Sequence, residues 1–156
     1  MNIKLDPGAY MPKRAYELDA GYDLQSRETK VVPAGGSAVF DTGVHVELPT
    51  EIELCEELYY HVYQTHKFVC KTTGFIKSKS GMNFKHNITS EGVIDAGYTG
   101  SIHVKLYNHG NNDYMVNKGD KIAQLVILPV ITPELHLVNE LHETERGDSG
   151  FGSTGR

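Results

Sequence analysis

Ser101-Ile102-His103-Val104-Lys105-Leu106 alternates polar and apolar residues without a break. A period of two puts Ile102, Val104 and Leu106 on one face of a strand and the polar residues on the other. Lys121 to Val130 follows, with Ile122, Ala123, Leu125, Val126, Ile127, Leu128 and Val130. Its β-branched content and Pro129 predict a strand buried on both faces rather than a helix. Upstream, Val31-Val32-Pro33-Ala34-Gly35-Gly36 reads as a strand running into a turn, and Ala38-Val39-Phe40 and Val44-His45-Val46-Glu47-Leu48 as further short strands. Many short strands separated by turn signals predict an all-β sandwich or barrel.

One segment departs from this pattern. Glu51 to Cys70 contains no glycine or proline. Leu54, Leu58, His61, Val62 and Thr65 fall near helical spacing, so an amphipathic helix is the first reading. Tyr59-Tyr60, Val62-Tyr63 and Phe68-Val69 favour strands, so a long hairpin arm is the second.

The chain has 156 residues, enough for one domain with a real core, and a net charge of −5. An acidic balance argues against binding nucleic acid through its backbone. No apolar run is long enough to span a bilayer, and Met-Asn-Ile-Lys-Leu-Asp-Pro at the start has no signal-peptide hydrophobic region. Cys55 and Cys70 do not make a disulfide framework. A cytoplasmic, reducing location, away from membranes, is the simplest reading.

Four stretches could carry chemistry. The last eleven residues, Arg146 to Arg156, include four glycines, two arginines, Ser149, Ser153, Thr154 and a lone aromatic, Phe151. Composition alone reads this as a flexible tail. Yet glycines free backbone to wrap a ligand, arginine and hydroxyls suit phosphate, and Phe can stack on a base, which is the equipment of a nucleotide lid. In Glu91-Gly92-Val93-Ile94-Asp95-Ala96-Gly97-Tyr98-Thr99-Gly100, Asp95 at a strand end could orient water as a general base, or simply bond its own turn. Lys77-Ser78-Lys79-Ser80-Gly81 suits phosphate without matching a P-loop, or is a solvated charged loop. Lys118-Gly119-Asp120-Lys121 reads as a turn entering a buried strand, in which the amide of Gln124 needs a partner or a ligand. Cys55, His61, His66 and Cys70 lack zinc-knuckle spacing, and no protein metal site is assigned to them.

Taken in order, these segments resemble the trimeric dUTPase family. Ala20-Gly21-Tyr22-Asp23-Leu24 resembles its first motif and Lys79-Ser80-Gly81-Met82 its second. Gly92 to Gly100 resembles the third, and Lys118-Gly119-Asp120-Lys121-Ile122-Ala123-Gln124-Leu125 the fourth. Arg146-Gly147 with Gly150-Phe151-Gly152-Ser153-Thr154-Gly155 resembles the fifth, a mobile C-terminal arm. Five motifs in order over nearly the whole chain are specific where one alone would be weak.

The resemblance implies a jelly-roll β-barrel at residues 1–145, an arm at 146–156, and a homotrimer whose active sites are shared between subunits. It implies hydrolysis of dUTP to dUMP and pyrophosphate, which limits uracil in DNA and supplies dUMP for thymidylate synthesis. Asp95 would activate the water that attacks the α-phosphorus. Asp23, also assigned to the catalytic machinery, would sit near the metal–phosphate region. Tyr98 would pack under deoxyribose, and backbone around Val93 and Ile94 would read the uracil edge. Lys79, Ser80, Gly81 and Gln124 would meet phosphates. From the arm, Phe151 would stack on uracil while Arg146, Gly152, Ser153 and Thr154 close over the phosphates. Mg2+ would ride on the phosphate oxygens through waters rather than on protein ligands.

Two departures stand out. Lys79 replaces the usual arginine, keeping charge but losing the bidentate fork. Residues 51–71 look like an insertion, as in a bacterial or phage variant, carrying both cysteines, Tyr59, Tyr60, Tyr63 and Phe68. A protruding aromatic element suits a protein partner, so a nucleotide-gated regulator that binds a partner through 51–71 is the alternative function. A self-packed elaboration or a trimer contact is the plainer use of the insertion. The related fold of dCTP deaminases is the competing enzyme reading, disfavoured by Phe151 and the Asp95–Tyr98 hairpin.

Overall fold

The computed structural model describes residues 1–50, 52–55 and 67–148. One sheet holds β1 (Asn2–Leu5), β4 (Ser37–Glu47), β9 (Ser101–Asn108) and β7 (Ile88–Thr89) in that order. A second holds β2 (Gly21–Gln25), β11 (Lys121–Val130), β6 (Lys67–Ser78) and β5 (Ile52–Cys55), with β8 (Glu91–Asp95) also paired to β6. A small ribbon joins β10 (Tyr114–Val116) to β3 (Lys30–Val32). All these ladders are antiparallel, and the arrangement matches the β-rich jelly roll expected from the sequence. The one helix among the described residues is α1 (Ser80–His86).

The core forms where the inner faces of the sheets meet. Ile102, Val104 and Leu106 of β9 are fully buried, as their alternation predicts. They join Phe40, Val44 and Val46 of β4, Leu24 of β2, Ile76 of β6, and Ile122 and Leu125 of β11 in one cluster. Removing a side chain such as Phe40 from this cluster costs about 3–5 kcal/mol.

Three expectations change. β11 is buried on both faces only in its first half; Leu128 is exposed and the chain leaves the sheet as a fully exposed apolar segment containing Ile131, Leu135, Leu137 and Leu141. The two short strands around Phe40 and Val46 are one strand, β4, broken by a bulge between Asp41 and His45. A helix across 51–70 is not formed at either end of that stretch. Ile52–Cys55 and Lys67–Cys70 pair as antiparallel strands, which is the hairpin reading and agrees with the strand propensity of Phe68-Val69. Residues 56–66, with Tyr59, Tyr60, Tyr63, His61 and His66, lie outside the described residues.

Candidate active site

β8 ends at Asp95, where Val93 points outward and Ile94 inward. The chain then turns: the Tyr98 amide donates to the Asp95 carbonyl at 2.9 Å, closing Asp95-Ala96-Gly97-Tyr98. The Asp95 side chain is exposed at this corner. The Tyr98 hydroxyl donates to the Ser101 carbonyl at 2.9 Å, which ties down the phenol end and leaves the residue 43% exposed. Gly100 makes this possible. A Cβ there would lie 2.5 Å from the Tyr98 hydroxyl oxygen and 2.6 Å from its ring carbon. Gly100→Ala is therefore expected to swing the ring off its seat and raise KM for the substrate about ten-fold with the melting temperature kept. Steady-state kinetics beside a thermal melt checks this.

The Thr73 hydroxyl donates to the Ile94 carbonyl at 3.1 Å, anchoring β8 to β6 from within. Beyond that pairing with β6, no described strand covers the other edge of β8. Unpaired backbone on such an edge can hydrogen-bond a planar ligand.

A second cluster forms where β2, β11 and the β6–α1 junction meet. Asp23 on β2 is only 4% exposed. Its Oδ1 accepts from Lys79 Nζ at 2.5 Å, and its Oδ2 lies 2.7 Å from Lys121 Nζ, an ion contact outside hydrogen-bond alignment. Burial pushes the Asp23 carboxyl up, but the close contacts and positive charges of Lys121 and Lys79 outweigh it and hold the group below the ordinary aspartate range. The same contact raises Lys121. A depressed carboxyl stabilises the fold above the ordinary aspartate range and loses that contribution as pH falls through its lower native value. Asp23→Asn is expected to cost about 2 kcal/mol at neutral pH and to flatten the acid-side fall in stability; urea titrations from neutral to acid pH check both.

Lys79 caps α1 in an extended conformation, and the exposed Ser80 and Gly81 form its first turn beside these cations. The sequence predicts a charged loop here, because a seven-residue helix carries too little period to announce itself. Gln124 sits at the half-buried centre of β11, opposite Asp23 on one side and Lys77 on the other. Its side chain folds over Gly21, where a Cβ would stand 2.9 Å from the amide oxygen. In the sequence Lys121 belongs only to a turn, and the structure brings it to the cluster. The signal that could have found it is its spacing of three from Gln124, across the β2–β11 register shift between Lys121 and Ala123.

Register sets the two clusters apart. Asp95 pairs with Thr73 on β6, whereas Gln124 pairs with Lys77, four residues further along, and lies one strand beyond. At about 4.8 Å per strand and 3.3 Å per residue, Asp95 and Gln124 are roughly 16 Å apart within one chain. Gly147 is described, but Phe151, Gly152, Ser153 and Thr154 of the arm lie outside the described residues.

No group of three or more His, Cys, Asp or Glu side chains could hold a metal ion among the described residues. The donor set around Gln124 and the two lysines suits an anion, so a divalent cation would fit here only as cargo of that anion.

The dUTPase family model matches residues 8–155. The deoxyuridine 5'-triphosphate nucleotidohydrolase of Clostridium acetobutylicum is 42% identical over 155 residues, covering 97% of this chain and 93% of the relative. The dUTPase of Staphylococcus bacteriophage 80alpha, solved with dUPNHPP, superposes with a TM-score of 0.80 at 32% identity, covering 99% of this chain and 98% of that one. It is described among phage dUTPases that control transfer of virulence genes by a G protein-like mechanism. A dUTPase from phage phi11 of S. aureus, described as coordinating a structural Mg(II) ion, has a TM-score of 0.71 at 30% identity, covering 89% and 96%.

Proposed function

Because this chain belongs to the dUTPase family and hydrolyses dUTP, we propose that it does so by attack of an Asp95-oriented water on the α-phosphorus. The water oxygen bonds to that phosphorus as its proton passes to the Asp95 carboxylate, and the bond to the bridging oxygen breaks to release pyrophosphate. The observation that carries this reading is the Asp95–Tyr98 turn, which sets an exposed carboxylate and a tethered aromatic ring at the uncovered edge of β8. The ring would pack under deoxyribose, where a ribose 2′-hydroxyl would collide with it. The β8 backbone around Val93 and Ile94 would meet the uracil edge. Thymine's methyl would clash there, and cytosine would present the wrong donor pattern.

The phosphates are assigned to Lys79, Ser80, Gly81 and Gln124. Asp23 acts in this scheme by holding Lys79 and Lys121 side by side, so that two cations face the triphosphate from fixed positions. From the arm, Phe151 would cover uracil, and Arg146, Gly152, Ser153 and Thr154 would close on the outer phosphates. Mg2+ bound to the phosphates through waters would neutralise charge on the leaving pyrophosphate.

A backbone separation of roughly 16 Å between Asp95 and Gln124 within one chain favours a second copy that supplies the phosphate half. The reading is therefore a homotrimer in which one subunit's Asp95 turn faces another's phosphate residues. The exposed segment from Ile131 to Leu141 supports it, since its leucines, isoleucine and valine stand clear of the core and suit the surface of a neighbour.

Hydrolysis of dUTP in 18O-labelled water tests the chemistry. The label is expected in dUMP. Label in pyrophosphate would mean attack at the β-phosphorus and would remove Asp95 from its assigned place.

A second reading concerns regulation. β6 runs unbroken from Lys67, in the hairpin with β5, to Ser78 beside Lys79, and it pairs with β8 along the way. The insertion and the site therefore share one strand, which supports a role in which a protein partner on residues 51–71 senses the nucleotide state. Replacing residues 56–66 by a short turn keeps the β5–β6 pairs. It is expected to preserve dUTP turnover and to abolish partner binding. Equal loss of both would leave the insertion a structural element.

A further inference from the structure

The turn that carries Asp95 and Tyr98 is poorly supported from below. Two adjoining cavities of about 540 and 230 Å³ lie against it, sharing Asn2, Glu47 and Thr99 in their walls. One side chain reaches the turn across this space. His45 Nδ1 lies 2.9 Å from the Thr99 carbonyl oxygen, while its Nε2 lies 3.2 Å from Asp6 Oδ1.

Both partners are acceptors. A carbonyl oxygen can only accept, and Asp6, which also faces Arg27 Nη1 at 3.7 Å, offers a carboxylate. The contact with the Thr99 carbonyl requires the proton on Nδ1. The bulge in β4 puts the ring in place. Asp41 pairs with His103 and His45 with Ser101, so β4 spends two more residues than β9 over that interval. Gly43 turns the bulge with φ +66°, its amide donating to Asp41 Oδ1 at 3.0 Å and its carbonyl accepting from the Asp6 amide at 2.9 Å.

We propose that His45 is a positioning residue for dUTP hydrolysis: it clamps the Thr99 carbonyl and so fixes the turn that presents Tyr98 and Asp95. The proposal rests on the reading of that turn as the deoxyuridine-binding element. The charged and titratable groups around His45 are Lys4 opposite it on β1, Asp6 after β1, Arg27 after β2, and Asp41 and Glu47 on β4; β9 contributes the uncharged Ser101 opposite it.

Two substitutions separate the clamp from the ion pair. In His45→Asn the amide nitrogen stands near the position of Nδ1 and can still donate to Thr99. In His45→Gln the amide reaches toward Asp6 instead. His45→Gln is expected to raise KM for dUTP about ten-fold with kcat within about two-fold, whereas His45→Asn stays within about two-fold of the parent in both. Tyr98→Ala serves as the control on the turn itself and is expected to raise KM. Equal effects of the Asn and Gln variants, or losses that follow the melting temperature, overturn the clamp. A raised KM in Tyr98→Ala with none in His45→Gln overturns the clamp alone. An unchanged KM in Tyr98→Ala overturns the reading of the turn, and the clamp with it.

Discussion

Asp95→Asn is expected to lower kcat by about a thousand-fold or more while leaving dUTP affinity within a few-fold of the parent. Asparagine keeps the shape and the hydrogen-bonding reach of the side chain but cannot take the proton from water. The side chain is exposed at the end of β8, so the change removes no core contact. The turn below it depends on backbone, with the Tyr98 amide on the residue-95 carbonyl, and survives the substitution. Pyrophosphate release measures turnover, and calorimetric titration of the variant with dUTP measures binding. Near-normal turnover would take the general base away from Asp95. Lost binding with lost turnover would make the residue a binding group instead.

The second large effect is a gain. Asp95→Asn and Ser80→Glu are each expected to be almost inactive alone, the first for want of a base and the second because a carboxylate repels the triphosphate. Glu at the first turn of α1 is compatible with the helix, and Ser80 is exposed, so the fold should be kept. If each site takes Asp95 from one subunit and Ser80 from another, random reassembly of an equal mixture makes about one site in four intact, and activity should recover to about a quarter of the parent value. The chain carrying both substitutions, mixed with parent, gives no such gain over dilution. The measurement is turnover after the two variants are unfolded together and refolded. Failure to recover, with trimers formed, would mean that each chain builds its site alone and that the strand register misleads about distance.

Much of this chain's architecture is written locally. The alternation of Ile102, Val104 and Leu106 predicts their burial because side-chain direction in a strand depends only on residue parity. Gly119, with φ +91°, and the bond from the Asp120 amide to the Asn117 carbonyl at 3.0 Å make the expected turn before β11. The ends of the insertion are harder to read. Leu54, Leu58 and Val62 fit a helix in isolation, and the pairing of Ile52–Cys55 with Lys67–Cys70 decides for strands at the two ends. Leu128, in a run that reads as buried on both faces, is exposed, because burial depends on what the rest of the fold, or a neighbour, places against it.

The site divides along the same line. Residue chemistry and motif order mark Asp95, Tyr98, Lys79, Ser80 and Gln124 as candidates without any coordinates. They do not reveal that Asp23 is buried between Lys79 and Lys121, contacts that join positions 56 and 98 residues apart in the chain. Nor do they reveal the bulge that carries His45 under Thr99. Turn chemistry and strand period are properties of neighbouring residues, so the sequence alone determined the inward face of β9, the turn before β11 and the candidates for the reacting groups. Register between distant strands is chosen by how their apolar faces fit together in one core. Only the tertiary structure could therefore decide which groups meet, such as Asp23 with Lys79 and Lys121, and His45 with Thr99.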